Sequence, residues 1–175
     1  MTRFIFITLL TVFISKTSAQ TSTQCNCGAI VDVDFHCKVV VYDKPDGKIV
    51  KSLRHDFQKE DYLILTIDKD SLHFFHVDIS NALTPESGKT GWIIKTKEIG
   101  TYARNYQQND TLRLYSKPEL TSKVQSIIPD WTNELYTITR CFKNWAYVRI
   151  KYNGQLKEGW LQPDKQCYNP YTTCN

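Results

Sequence analysis

The stretch that decides the fold is WAYVRIKYNGQ, residues 145–155. Within it, Ala146, Val148 and Ile150 alternate with aromatic or charged residues, and a period of two places the two sets on opposite faces of a β-strand. Asn153-Gly154 then supplies the pair of residues that a type I′ turn favours, because both turn positions need a positive φ. The stretch therefore predicts a β-strand with one face in a core, followed by a two-residue hairpin.

Three blocks of sequence recur in the same order along the chain. Tyr42-Asp43-Lys44-Pro45 resembles Tyr115-Ser116-Lys117-Pro118, the segment 74–79 resembles 145–150, and Gly91-Trp92-Ile93 resembles Gly159-Trp160-Leu161. The separations are 73, 71 and 68 residues. A slowly drifting offset is expected when two copies differ in their loops but share their strands. The recurrence therefore indicates two copies of one small unit.

The remaining sequence of each unit also favours strands. The segments 62–67 and 135–139 are rich in β-branched and aromatic residues, and Asp68-Lys69-Asp70-Ser71 is typical of a solvated hairpin turn. No stretch combines a 3.6-residue apolar stripe with helix caps, so long helices are not expected. The predicted fold class is all-β, with two small β-barrels in tandem after a cleaved signal peptide.

Residues 1–19 have the layout of a secretory signal peptide. Arg3 provides a positive start, the segment 4–14 is an apolar run, and Thr17-Ser18-Ala19 places small residues at a cleavage site. An uncleaved anchor is the alternative, but a bilayer-spanning helix needs about 20 apolar residues and this run is shorter. We therefore expect a secreted or periplasmic protein that is not inserted in the membrane after cleavage.

The charge of the expected mature chain is nearly balanced. The full sequence has 22 Lys and Arg against 18 Asp and Glu, and loss of Arg3 and Lys16 leaves 20 against 18. Nucleic-acid binding is driven by concentrated positive charge. The balance therefore argues against nucleic acid as the main partner.

Cysteine usage indicates an oxidising compartment. An even number of cysteines in a secreted chain predicts three disulfides, and six cysteines allow 15 pairings. Cys25-x-Cys27 together with His36-Cys37 is a possible metal site, but zinc sites usually space paired cysteines by two to four residues. We expect no metal or cofactor and no free catalytic thiol. The six candidate disulfide residues are Cys25, Cys27, Cys37, Cys141, Cys167 and Cys174.

The repeated motifs carry a resemblance to a known family. The order Tyr-x-Lys-Pro, then an aromatic residue three positions before Val, then Gly-Trp-hydrophobic, is similar to the bacterial Src-homology-3-like (SH3b) domains. The second unit matches this pattern more closely than the first, in which Phe74 replaces the usual Trp. The matching residues of the second unit are Tyr115, Pro118, Trp145, Val148, Gly159 and Trp160.

The resemblance predicts how the chain is divided. The expected domains are a signal peptide at 1–19, a Cys-bearing segment at 20–37, an SH3-like barrel at 38–94, a linker at 95–110, a second barrel at 111–163 and a Cys-bearing tail at 164–175.

The resemblance also implies a binding module rather than an enzyme. Its expected ligand is a cell-envelope component: a peptidoglycan peptide, a glycan, or an extended segment of an envelope protein. Two alternatives stand beside it, namely an inhibitor or immunity-type protein that blocks a partner enzyme, and a small Cys/His hydrolase. The sequence contains no Gly-x-Ser-x-Gly, His-Glu-x-x-His or phosphate-loop motif.

Aromatic residues are the candidate ligand contacts. If Ala146 and Val148 face the core, Trp145 and Tyr147 stand on the opposite face, and flat aromatic faces suit extended peptides or sugar rings. The alternative is that these rings pack against the neighbouring unit or the terminal segments. The candidate ligand-binding residues are Tyr42, Phe74, Tyr115, Trp131, Trp145 and Tyr147.

Overall fold

A computed structural model describes residues 22–85, 89–103, 111–130 and 132–171. The predicted signal peptide, Trp131 and Cys174 lie outside the described residues. The described part of the chain is all-β, as predicted, and its one helix is a single 3₁₀ turn at Pro163–Lys165. None of the helical structure in these ranges is long and apolar enough to cross a membrane.

Thirteen strands are present in these ranges. They are β1 Thr23–Val31, β2 Val39–Tyr42, β3 Ile49–Leu53, β4 Leu63–Asp70, β5 Phe74–Asn81, β6 Lys89–Ile94, β7 Ile99–Ala103, β8 Leu112–Tyr115, β9 Val124–Ile128, β10 Tyr136–Phe142, β11 Trp145–Tyr152, β12 Gln155–Leu161 and β13 Gln166–Cys167.

The strands form one continuous antiparallel sheet in the order β3-β2-β6-β5-β4-β1-β7-β10-β11-β12-β8-β9, and β13 pairs with β7. From the centre outward, β1-β4-β5-β6-β2-β3 on one side corresponds to β7-β10-β11-β12-β8-β9 on the other. Each half is therefore a leading strand followed by five strands with the same order of pairing. The first half contains β1–β6 and the second half contains β7–β12.

The repeated sequence blocks occupy equivalent places in the two halves. Tyr42 pairs with Trp92 across β2 and β6, and Tyr115 pairs with Trp160 across β8 and β12. A register shift precedes the tyrosine in both β2–β3 and β8–β9. In the neighbouring pairs, β4–β5 and β10–β11, the irregularities also fall at corresponding positions.

The glycine of each Gly-Trp motif is required by a close approach of two strands. A Cβ atom on Gly159 would lie 2.8 Å from the Leu114 Cβ and 3.0 Å from the Tyr115 carbonyl oxygen. A Cβ atom on Gly91 would lie 2.4 Å from a Val41 methyl carbon and 2.9 Å from the corresponding carbonyl of Tyr42. The motif therefore marks where β6 closely approaches β2 in the first half and where β12 closely approaches β8 in the second.

The decisive stretch folds as predicted. Ala146, Val148 and Ile150 are buried, whereas the alternate residues of β11 are exposed or half-buried. Tyr152 pairs with Gln155 across a two-residue turn, and Asn153 and Gly154 have φ values of 48° and 78°. The positive φ values are those that the Asn-Gly pair was expected to adopt.

Two segments expected outside the folded units lie at the centre of the sheet. β1, in the segment 20–37, pairs with β4 and β7, and β7, in the expected linker 95–110, pairs with β1, β10 and β13. The segment 95–110 resembles a linker because polar residues around β7 dominate its composition. The strand itself has four buried positions out of five.

The predicted turn at 68–71 is wrong, because Asp68 and Asp70 belong to β4. The Asp70 carboxylate lies 2.5 Å from the Lys95 ammonium and also accepts a hydrogen bond of 2.7 Å from the Cys141 backbone N–H. Lys95 donates a further hydrogen bond of 3.0 Å to the Thr139 carbonyl. Both charged side chains are mostly buried, with exposures of 11% for Asp70 and 15% for Lys95. The buried Asp70–Lys95 pair of the first half is therefore joined by two hydrogen bonds to β10 of the second half.

A disulfide links the same two halves. Cys27 of β1 is bonded to Cys141 of β10, and Cys167 is also disulfide-bonded. Cys25 and Cys37 are free thiols, so the expectation that all six cysteines pair does not hold for these two. The Cys25 thiol is buried and hydrogen-bonds the Ile67 carbonyl, while Cys37 lies on the exposed loop after β1.

Gly159→Ala is expected to destabilise the fold, because the new methyl group overlaps the backbone of β8. The expected loss in the free energy of unfolding is about 1–3 kcal/mol, measured by urea titration. Gly154→Asn is the control, since a Cβ there meets nothing within 4 Å and Asn tolerates a positive φ. Equal stability of Gly159→Ala and the wild type would contradict the close approach.

Asp70→Ala is expected to lower the free energy of unfolding by about 3 kcal/mol, because it leaves the ammonium of Lys95 buried without its counter-charge. The double variant Asp70→Leu with Lys95→Met removes both charges and should recover most of that loss. Chemical denaturation of both proteins tests the pair. A double variant less stable than Asp70→Ala would show that the ion pair is not the important contact.

Candidate functional site

Aromatic side chains form a patch on the outer face of each half. The second-half patch contains Tyr115, Trp145, Tyr147 and Trp160. Tyr115 and Trp145 meet edge to face at 5.9 Å between ring centroids, and Tyr147 and Trp160 do so at 5.4 Å. The four side chains come from three adjacent strands and form two edge-to-face pairs, which is a favoured aromatic geometry.

The first-half patch occupies the equivalent positions with Tyr42, Phe74, His76 and Trp92. Tyr42 and Phe74 meet edge to face at 6.0 Å, and His76 meets Trp92 at 5.2 Å. His76 also lies 2.6 Å from the Asp68 carboxylate. The geometry is repeated, but a histidine stands where the second half has a tyrosine.

Each patch has one buried ring and three half-buried ones, and the buried ring is Phe74 in the first half and Trp160 in the second. Phe74 is buried, so its ring does not line an open surface, in contrast to the sequence-based hypothesis. Tyr42, His76 and Trp92 are half-buried. Tyr115, Trp145 and Tyr147 are each half-buried, so their rings are partly accessible. The structure thus brings together three of the predicted residues in the second half and two in the first.

A groove of about 830 Å³ lies beside the second-half patch and between the two halves. Ser116, Lys117 and Pro118, which belong to the repeated Tyr-x-Lys-Pro motif, form part of one wall. The other half of the molecule contributes Ser71, Leu72 and Lys95. The remaining lining residues are Thr23, Asp70, Thr139, Arg140, Cys141, Phe142, Arg149 and Trp160.

Trp160 joins the groove to the aromatic patch. Its indole is buried and contacts Tyr147, while the Arg140 guanidinium lies 5.3 Å from the centre of the Trp160 ring system. A guanidinium at this distance from an indole makes a favourable cation–π contact. Arg149, next along the same face, bonds the Glu158 carboxylate at 2.8 Å.

Sequence reasoning did not identify Arg140, Phe142 or Leu72 as site residues. Arg140 lies directly across the strand pair from Tyr147, just beyond the segment 135–139 that was predicted as a strand. Leu72 comes from the first half, about 70 residues earlier in the chain, and no local signal places it beside β10.

His55 is held in the fold through both of its ring nitrogens. Its Nδ1 accepts a hydrogen bond from the Leu63 N–H and its Nε2 donates one to the Asp32 carbonyl, both at 2.9 Å. Burial lowers the pKa of His55, although the Asp32 contacts act in the opposite direction. The imidazole is therefore held neutral, with both nitrogens used by the fold.

The Cys25 thiol is held in its protonated form. Burial, followed by the nearby charges of Asp70 and Asp68, raises the pKa of its thiol to about 12. Since the thiolate is the nucleophilic form, this cysteine is not activated. In the described ranges, no group of three or more His, Cys, Asp and Glu side chains is placed to share a metal ion.

No protein-family model matches the chain, and no curated protein matches it. Among solved structures, it is similar to NlpC1 from Trichomonas vaginalis, with 19% identity and a TM-score of 0.34. The match covers 91% of this chain and 51% of that protein, so the chain spans about half the length of the structure that it matches.

The His55 pKa predicts a pH dependence of stability. Because its pKa is lower in the folded than in the unfolded chain, its neutral form stabilises the fold above about pH 6.5, and this contribution is lost as the pH falls through the folded pKa. The free energy of unfolding should decrease less on acidification for His55→Asn than for the wild type. Urea titrations at a neutral and a mildly acidic pH measure the difference. His73→Asn is the control, and an identical decrease in His55→Asn and the wild type would contradict the assignment.

Proposed function

We propose that the chain is an exported, non-catalytic binding module, composed of two SH3-like units, that binds an extended component of the cell envelope. Its ligand is a peptidoglycan peptide, a glycan strand or an extended protein segment. The observation that carries the proposal is the set of three half-buried rings in the second half, Tyr115, Trp145 and Tyr147, beside a groove large enough for several residues of an extended chain.

The chemistry of the patch suits an extended ligand. Tyr115, Trp145 and Tyr147 present ring surface together with hydroxyl and indole N–H groups, so they can pack against apolar groups and also form hydrogen bonds. The Tyr147 hydroxyl already accepts a hydrogen bond of 2.9 Å from Gln125, which fixes the ring. Rings held in place lose little freedom on binding, which favours affinity.

The proposed binding site lies in the second half. There the position equivalent to the buried Phe74 is the half-buried Trp145, and the adjoining Tyr-x-Lys-Pro motif forms a groove wall. The two halves share strand order and register, which supports reading them as related SH3-like units. The resemblance of Pro118, Trp145 and Trp160 to SH3b motifs supports the choice of a cell-envelope ligand.

Retention on purified, insoluble peptidoglycan tests the proposal. The wild type is expected to sediment with it. Tyr115→Ala and Trp145→Ala should each weaken binding about tenfold or more, because central aromatic residues commonly contribute most of the binding energy of a site. Tyr42→Ala is the matched control, since Tyr42 has the same register and the same edge-to-face contact in the first half.

Thermal unfolding of each variant distinguishes lost binding from lost folding. Retention of folded Tyr115→Ala and Trp145→Ala equal to that of the wild type would remove the aromatic patch from the site. Failure of the wild type to bind peptidoglycan would remove peptidoglycan as the ligand.

A further inference from the structure

We infer that the ligand of this site is an acidic peptide segment, whose carboxylates lie along the groove between the two halves; the inference rests on the proposed binding function. The groove continues beyond the 830 Å³ cavity. A neighbouring cavity of about 400 Å³ shares Lys95, Thr139 and Arg149 with it. The two cavities together are called the basic groove below.

Positive charge is concentrated along the basic groove. Asp70 is its one acidic lining residue within the described ranges, and Lys95 neutralises it. Six basic residues line the two cavities: Lys95, Lys97, Lys117, Arg140, Arg149 and Lys151. The whole sequence carries a formal charge of only +4, so this surface is far more basic than the average of the chain.

Most of this charge is available to a ligand. Lys95 is used by Asp70, and Arg149 is used by Glu158. The other four basic residues, Lys97, Lys117, Arg140 and Lys151, are exposed and have no ion-pair partner among the described residues. Negative charges on a partner can therefore pair with these four basic residues. This charge complementarity would also speed association.

Apolar groups between these charges favour a peptide over a polyanion of another class. Leu72 is 72% exposed and Phe142 is 38% exposed, and both line the groove beside Arg140 and Trp160. An extended peptide places successive side chains on opposite sides. A segment that mixes acidic and apolar residues can therefore contact the basic residues and the apolar ones together.

A calorimetric titration with a peptide of alternating Glu and Leu tests the inference, and the same peptide with Gln in place of Glu is the control ligand. The Glu peptide should bind the wild type more tightly, and its affinity should fall as salt is added. The variant Lys117→Gln with Arg140→Gln should bind it about tenfold more weakly, as expected for the loss of two partly exposed charge contacts.

The internal repeat provides a matched control variant, Lys44→Gln with Lys69→Gln. These lysines hold the equivalent positions in the first half and their removal changes the net charge by the same amount, so this variant should bind the Glu peptide as the wild type does. Equal weakening by both variants, or equal binding of the Glu and Gln peptides, would overturn the inference. Tighter binding of single-stranded DNA or heparin than of the Glu peptide would also overturn it.

The outcomes of the two proposals can be told apart. Peptidoglycan retention that depends on Tyr115 and Trp145, combined with no preference for the Glu peptide, would leave the binding module intact and reject the acidic ligand. A preference for the Glu peptide that depends on Lys117 and Arg140, combined with no retention on peptidoglycan, would support the acidic ligand and reject peptidoglycan as the target.

Discussion

The buried carboxylate of Asp70 joins the two halves of the molecule. It neutralises Lys95 within the first half and receives the Cys141 N–H from the second half, while the disulfide from Cys27 reaches the same residue of β10. Cys141 is thus held by a covalent bond and by a charge-assisted hydrogen bond at once. The groove depends on this junction, because Leu72 and Lys95 on one side and Arg140 on the other come from different halves.

The internal repeat preserves the backbone and varies the surface. Gly91 and Gly159 both allow a tight strand crossing, and the same tyrosine–tryptophan strand pairs recur. On the outer face, however, a buried Phe74 replaces a half-buried Trp145. The tryptophans of the two Gly-Trp motifs differ in the opposite sense, since Trp92 is half-buried and Trp160 is buried, so each copy buries a different ring of its patch.

Much of the strand architecture could be predicted from local sequence. Alternation identified the buried face of β11, and Asn153-Gly154 identified its hairpin, because both signals lie within a few residues. The central positions of β1 and β7 could not be predicted in this way. Their partners lie far away in the sequence, and flanking polar residues masked β7. For the same reason the buried position of Asp70 could not be predicted, because the backbone donor that its carboxylate accepts from lies on the distant strand β10. The groove could not be predicted either, because Leu72 and Arg140 come together only in the folded chain.

The Cys27–Cys141 disulfide closes a loop over a sequence separation of 114 residues. Strands β2 to β9 therefore lie inside a covalent ring that is completed by two central strands of the sheet. A protease that cuts one surface loop within this ring opens it without releasing a fragment. The pieces remain one molecule and stay aligned by their strand pairing, so a single cut in a loop of this ring need not release either half.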